Sequence, residues 1–404
     1  MKLIMWKLKI HKWIFAGGLL VRRVAMAWAT TIVFLALIPL TAKAQGAADY
    51  ERLDVADARH ILVGMAMSPD MEHIAISGSQ SHPMYIYNWK NRAVTKEFDV
   101  GNWYAGSRVN YSKNGKYILL QQLYYIDFAP NNDREVNFEV IDAHSGKVVI
   151  RFADYHSVAF TPDEKQVITL TGNEVAFYNL ETGNKERSFI VPMASNGVAI
   201  SPDMKYIAVS HHLDKKKLKK HPAMKNKKGK VVKRTAKYKQ QISIFDANAF
   251  EKLYTVNEFY DIVYKLRYSP DGKYLFCMHI PHIKAQSGLQ RLTYINTIDA
   301  ASGEPLRLGF TSSAPYEPEF KLSHNDELFA IVSQGHRFVE LHVYDFKTGN
   351  MIDRFEQSFR LFEKADGEMV MVDSRASFVF MPDDKSILMT MGNKLIHWNL
   401  KLNQ

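Results

Sequence analysis

A single cysteine in 404 residues is the sharpest absence in this sequence. Cys277 has no partner for an intramolecular disulfide, and no thiolate metal cluster can be built from it. It stands in the apolar run Tyr274-Leu275-Phe276-Cys277-Met278 and reads as a small buried residue rather than a reactive thiol. A glycine-rich phosphate loop between a strand pattern and a helix pattern is also missing, which removes the common nucleotide-binding folds. No nucleophile, base and orienting acid can be assembled from their order along the chain, so no catalytic constellation is found and no cofactor is expected. Acidic residues are missing altogether from positions 1 to 44.

That last absence matters for the charge balance. A formal net charge of +10 would suggest a nucleic-acid partner if it were spread evenly. Residues 1 to 44 hold seven basic residues, and residues 213 to 239 hold thirteen against the single Asp214. The remainder of the chain is therefore acidic, at −9.

Arg22-Arg23, the apolar stretch Val24 to Leu40 and the small-residue site Ala42-Lys43-Ala44 have the form of a secretory signal peptide over residues 1–44. Cleavage is expected between Ala44 and Gln45, leaving no transmembrane anchor in the mature chain. No cysteine lies near this site, which excludes a lipoprotein signal. The expected destination is the periplasm of a Gram-negative-like cell or the medium, and export argues against a nucleic-acid partner.

What the sequence has in abundance is self-similarity. One phrase recurs seven times: Ser68-Pro69-Asp70, Ser112-Lys113-Asn114-Gly115, Thr161-Pro162-Asp163, Ser201-Pro202-Asp203, Ser269-Pro270-Asp271-Gly272, Ser323-His324-Asn325 and Met381-Pro382-Asp383. Proline, Asp, Asn and Gly supply the fixed φ and the side-chain bonds of a tight hairpin turn, and alternating runs flank each copy. A second phrase follows, a β-branched and aromatic run such as Ile242-Ser243-Ile244-Phe245-Asp246. Several of these turn through a glycine, as at Ser145-Gly146, Thr182-Gly183, Ser302-Gly303 and Thr348-Gly349. A fourth short run completes the unit. Four strands per repeat and seven repeats predict an all-β fold, a seven-bladed β-propeller of four-stranded antiparallel blades filling residues 45–404 as one domain.

On these two phrases the chain resembles the WD-repeat and YVTN families of bacterial β-propellers over residues 50 to 404. It departs from the WD pattern in lacking the Gly-His and Trp-Asp dipeptides. The resemblance implies a fold and no particular activity, since propellers host enzymes, receptors and scaffolds alike. The seventh repeat stops before its fourth strand, whereas Tyr50 to Val55 stands unpartnered before the first. The N-terminal strand is therefore expected to close the ring.

Alternate connections of an antiparallel blade lie at opposite ends of its strands. The short repetitive turns share one face. Length variation collects on the other, in Leu123 to Val136, Leu213 to Lys239, Ile280 to Gln290 and Glu356 to Ser377, and that loop-rich face is the expected binding face. Its conspicuous feature is the insertion at 213–239, with Lys215, Lys216, Lys217, Lys219, Lys220, Lys227, Lys228, Lys233 and Arg234. So charged and so poor in apolar residues, it is expected to be a flexible cationic protrusion for a polyanion: lipid head groups, an acidic glycan or an acidic protein partner. It lacks the interleaved aromatics of a single-strand nucleic-acid binder. His211 and His279 fall at equivalent positions of blades four and five with His282 nearby, weak candidates for a metal because no carboxylate recurs around them. The reading is a non-catalytic binding or assembly module; the rival is a periplasmic propeller enzyme, metal- or cofactor-dependent or hydrolytic, with its site on the same face.

Overall fold

A computed structural model describes residues 52–54, 62–79, 83–101, 103, 106–123, 136–193, 195–281, 292–313, 318–335, 338–358, 361–363, 369–371, 376–392 and 394–402. The expected signal segment 1–44 and most of the loops 123–136 and 280–290 lie outside these residues. Seven four-stranded antiparallel sheets form the blades of a β-propeller. In the first six, strand order follows chain order, as in Leu62–Met67, His73–Gly78, Met84–Asn88 and Ala93–Phe98 of blade one. First strands of several neighbouring blades touch one another, which places these strands innermost, around the axis. In blade seven the outermost strand is Arg52–Asp54, paired with Lys394–Asn399 in the register Arg52 to Ile396, Leu53 to Leu395 and Asp54 to Lys394. The N-terminal strand closes the ring, as the short seventh repeat requires.

The recurrent turn phrase works by a side-chain brace. In blade four Ser201 Oγ donates to Asp203 Oδ1 at 2.6 Å and accepts from the Tyr206 N–H at 2.9 Å, tying both ends of the turn. Ser269 and Asp271 repeat this in blade five, and Ser323 with Asn325 in blade six. The next residue lies in the left-handed region in all seven turns: Met71, Gly115, Glu164, Met204, Gly272, Asp326 and Asp384. Five of these are not glycine, at a backbone cost of about 1–2 kcal/mol each. Two of the five use the position to bind the preceding blade. Glu164 Oε1 accepts from the Asn114 N–H at 2.5 Å, and Asp384 accepts from the backbone N–H groups of His324 and Asn325 at 3.0 Å each.

Apolar burial is organised in seven seams, each between two consecutive blades. Alternate residues of a strand project from opposite faces of its sheet, so each blade feeds one seam with odd positions and the next with even ones. Ile207 and Val209 pack toward blade three, whereas Ala208 packs toward blade five. The seam between blades seven and one joins Leu388 and Leu395 to Leu62, Ile74 and Tyr85, so closure has an apolar component besides the N-terminal strand. Cys277 is fully buried in the seam of blades four and five, and burial pushes its thiol well up, as befits an inert packing residue.

The insertion in blade four departs from its composition. Instead of an unstructured loop it folds into α1 (Lys215–Leu218), a 3-10 turn at Pro222–Met224 and α2 (Gly229–Tyr238). Asp214 caps α1 by accepting from the Lys216 N–H at 2.7 Å. Leu213, Leu218 and Val232 form a small separate core, with Met224, Ala236 and Phe259 packed against it. Few apolar residues suffice because they converge on one seam while the lysine heads stay in water. Among the described residues no helix is long and apolar enough to cross a membrane.

Candidate functional site

The insertion links the second and third strands of blade four, Tyr206–His212 and Gln240–Asp246, and so stands on the loop-rich face. Its C-terminal end is anchored to blade five. The Gln240 and Tyr260 backbones exchange hydrogen bonds at 2.8 and 2.9 Å, and Lys239 Nζ pairs with Asp261 Oδ1 at 2.7 Å. On α2, Val232 and Ala236 share the inward face at a spacing of four residues. Lys230, Lys233, Arg234 and Lys237 recur at the i, i+3, i+4, i+7 positions of the outward face, and all four are exposed. A rise of about 1.5 Å per residue makes this a straight cationic stripe about 10 Å long. Lys215, Lys216, Lys217, Lys219, Lys220, Lys227 and Lys228 are exposed around it. The nine basic residues singled out in the sequence therefore gather on one folded element.

A cavity of about 370 Å³ lies between the insertion and blade four and brings together His211, Lys217, His221 and Lys252. His211 is committed to structure: Nε2 lies 2.8 Å from Ser243 Oγ and Nδ1 2.9 Å from the His212 carbonyl. Burial lowers its pKa. His279 stacks on Tyr294 and donates from Nε2 to Asn296 Oδ1 at 2.6 Å, with Nδ1 3.8 Å from Asp261 Oδ2. Each histidine is thus bound within its own blade, and His282 lies outside the described residues. No group of three or more possible metal ligands occurs among the described residues.

The opposite face holds a wider cavity, of about 1000 Å³, among the turns of blades five, six and seven. Asp271 and Asp345 on its rim are occupied in bracing their own turns, and Asp384 holds the turn of blade six. Asp326 differs: its buried Oδ1 has no hydrogen-bond partner, and burial followed by the nearby Asp271 charge raises its pKa. The carboxylates nearest to it, Asp271 and Asp384, are taken up by hydrogen bonds to the turns.

Sequence reasoning missed a third place, the axis of the ring. Arg108, Lys265, Arg267, Glu319 and Lys321 stand two or four residues before the turn phrases of blades two, five and six, on or beside the innermost strands. Charge at those positions was the available signal, since the other blades place Gly, Ala, Ser or Val there.

No protein-family model matches the chain, and no curated protein is significantly similar to it.

Proposed function

We propose that this propeller is an exported, non-catalytic binding module of the WD-repeat and YVTN-like kind. It docks by its loop-rich face on a polyanionic surface, either lipid head groups or an acidic glycan, or on an acidic protein partner. The observation that carries this reading is the stripe Lys230, Lys233, Arg234 and Lys237, held on an ordered helix above a chain that is otherwise acidic. Such a stripe attracts a line of negative charges and has no backbone ordering left to undergo on binding, because the helix is already formed. The signal-like residues 1–44 support export.

The test is co-sedimentation of the mature chain with vesicles carrying anionic lipid, and retention on an immobilised acidic polysaccharide. Substituting the four stripe residues by Gln should weaken retention sharply on whichever surface the native chain binds, with unchanged melting. Equal retention of the variant would remove the insertion from the binding face.

A further inference from the structure

Innermost strands converge on the axis of a propeller, where blade faces approach closely and small side chains are favoured. Gly64, Ala66, Ser157, Ala159, Gly197 and Ala199 follow that rule. The five charged residues at the axis break it, and they do not balance: four cations face one carboxylate. Among the described residues of the innermost strands there is no other acid.

Arg108 and Lys321 are used by the fold. Arg108 Nη1 lies 3.2 Å from Glu319 Oε2 and donates to the carbonyls of Val63 at 3.0 Å and Ala376 at 3.2 Å. Lys321 Nζ donates to the Met65 carbonyl at 2.8 Å and lies 3.5 Å from Glu319 Oε1. Arg267 is different. It has no hydrogen bond or ion pair among the described residues, and it is solvent-exposed although it stands on an innermost strand. Its charge nonetheless acts on Glu319. The guanidinium is therefore part of an axial cluster whose charges sum to +3.

We propose that the central channel binds one small dianion, a sulfate or phosphate group or a short dicarboxylate, with Arg267 as the contact that the fold leaves unused. A planar guanidinium presents two parallel N–H donors to two oxygens of such an anion. Lys265 and Lys321 supply the field, which low-dielectric walls concentrate in the lumen. A dianion leaves the cluster at +1, so a second would gain much less. The site is separate from the cationic stripe on α2 and stands or falls independently of it.

The experiment is titration of the mature protein with sulfate and with succinate at constant ionic strength, chloride replacing each anion in the control. Saturable binding of at least one of them, one per chain, is expected. Arg267→Gln should weaken it at least tenfold with unchanged melting, and Arg267→Lys should restore part of the affinity. The proposal is overturned if neither anion binds above the chloride control, or if the Arg267→Gln protein binds as the native one does. It is also overturned if the loss instead follows substitution of Lys230, Lys233, Arg234 and Lys237, which would put the anion on the insertion.

Discussion

Arg108 of blade two and Glu319 at the start of blade six meet at 3.2 Å, although blades one and seven lie between them in the ring. The same guanidinium holds carbonyls at the edges of blades one and seven, so one side chain ties four blades across the closure. Removing it leaves Glu319 buried without its arginine and two carbonyls without a donor. Arg108→Ala should therefore cost about 3–5 kcal/mol, read from the denaturant midpoint at constant slope. Arg108→Lys should fall between, since it restores the charge and not the fork of donors. A neutral Arg108→Ala would mean that the contact does not support the ring.

The closing strand and the seventh seam contribute separately. Deleting Asp49 to Val55 exposes the edge of Lys394–Asn399 and should lower the melting temperature while leaving the chain folded, because the seam through Leu62 and Leu395 remains. Leu395→Ala, which opens that seam at a fully buried residue, should cost about 2–5 kcal/mol. If the truncated protein melts like the intact one, pairing with the N-terminal strand carries no stability.

The order of the insertion rests on Val232. Val232→Asp places a charge in its small core and should release the segment, so that trypsin cuts within 214–239 far faster than in the native protein. Both flanking strands keep their pairing, and loop-closure cost changes slowly with length, so global stability should move by less than about 1 kcal/mol. Rapid cleavage of the native insertion at the same rate would contradict a folded α2.

Blade number, strand count and N-terminal closure were legible because the Ser-Pro-Asp brace is local: hydroxyl, carboxylate and fixed φ lie within five residues. The helices of the insertion were not, because composition weighs how many apolar residues there are and not where they meet. Val232 and Ala236, one turn apart, meet Leu213, Leu218 and Phe259 only after the chain has folded back. The axial charges were hidden for a topological reason. Arg108 and Glu319 are more than two hundred residues apart, and only ring closure brings their blades together.

The axial site has a pH signature. Burial, with the charges of Arg267 and Arg108, pulls the Lys321 ammonium down to about 8 against the attraction of Glu319. The charged groups acting on it are Glu319, Arg267 and Arg108, and Lys265 acts in turn on Glu319. A bound anion favours the protonated amine, so binding takes up a proton near and above pH 8, and affinity falls as the pH rises. Sulfate keeps its charge throughout, so its affinity should drop several-fold between about pH 7 and 9.5 in the native protein and stay level in Lys321→Met. A level profile in the native protein would separate Lys321 from the anion.

Recognition of a polyanion by the cationic stripe of α2 is tested most directly by the ionic-strength dependence of equilibrium binding. The native mature chain and the variant with Lys230, Lys233, Arg234 and Lys237 replaced by Gln would be measured in parallel on the polyanionic surface that the native chain binds. Because exposed charges are screened within about 10 Å at 0.1 M salt, native affinity should fall steeply from low to physiological salt. The variant, which keeps the lysines around the stripe, should bind more weakly and with a shallower salt dependence. Salt-independent binding by the native chain, or equally steep curves for the two proteins, would contradict the assignment.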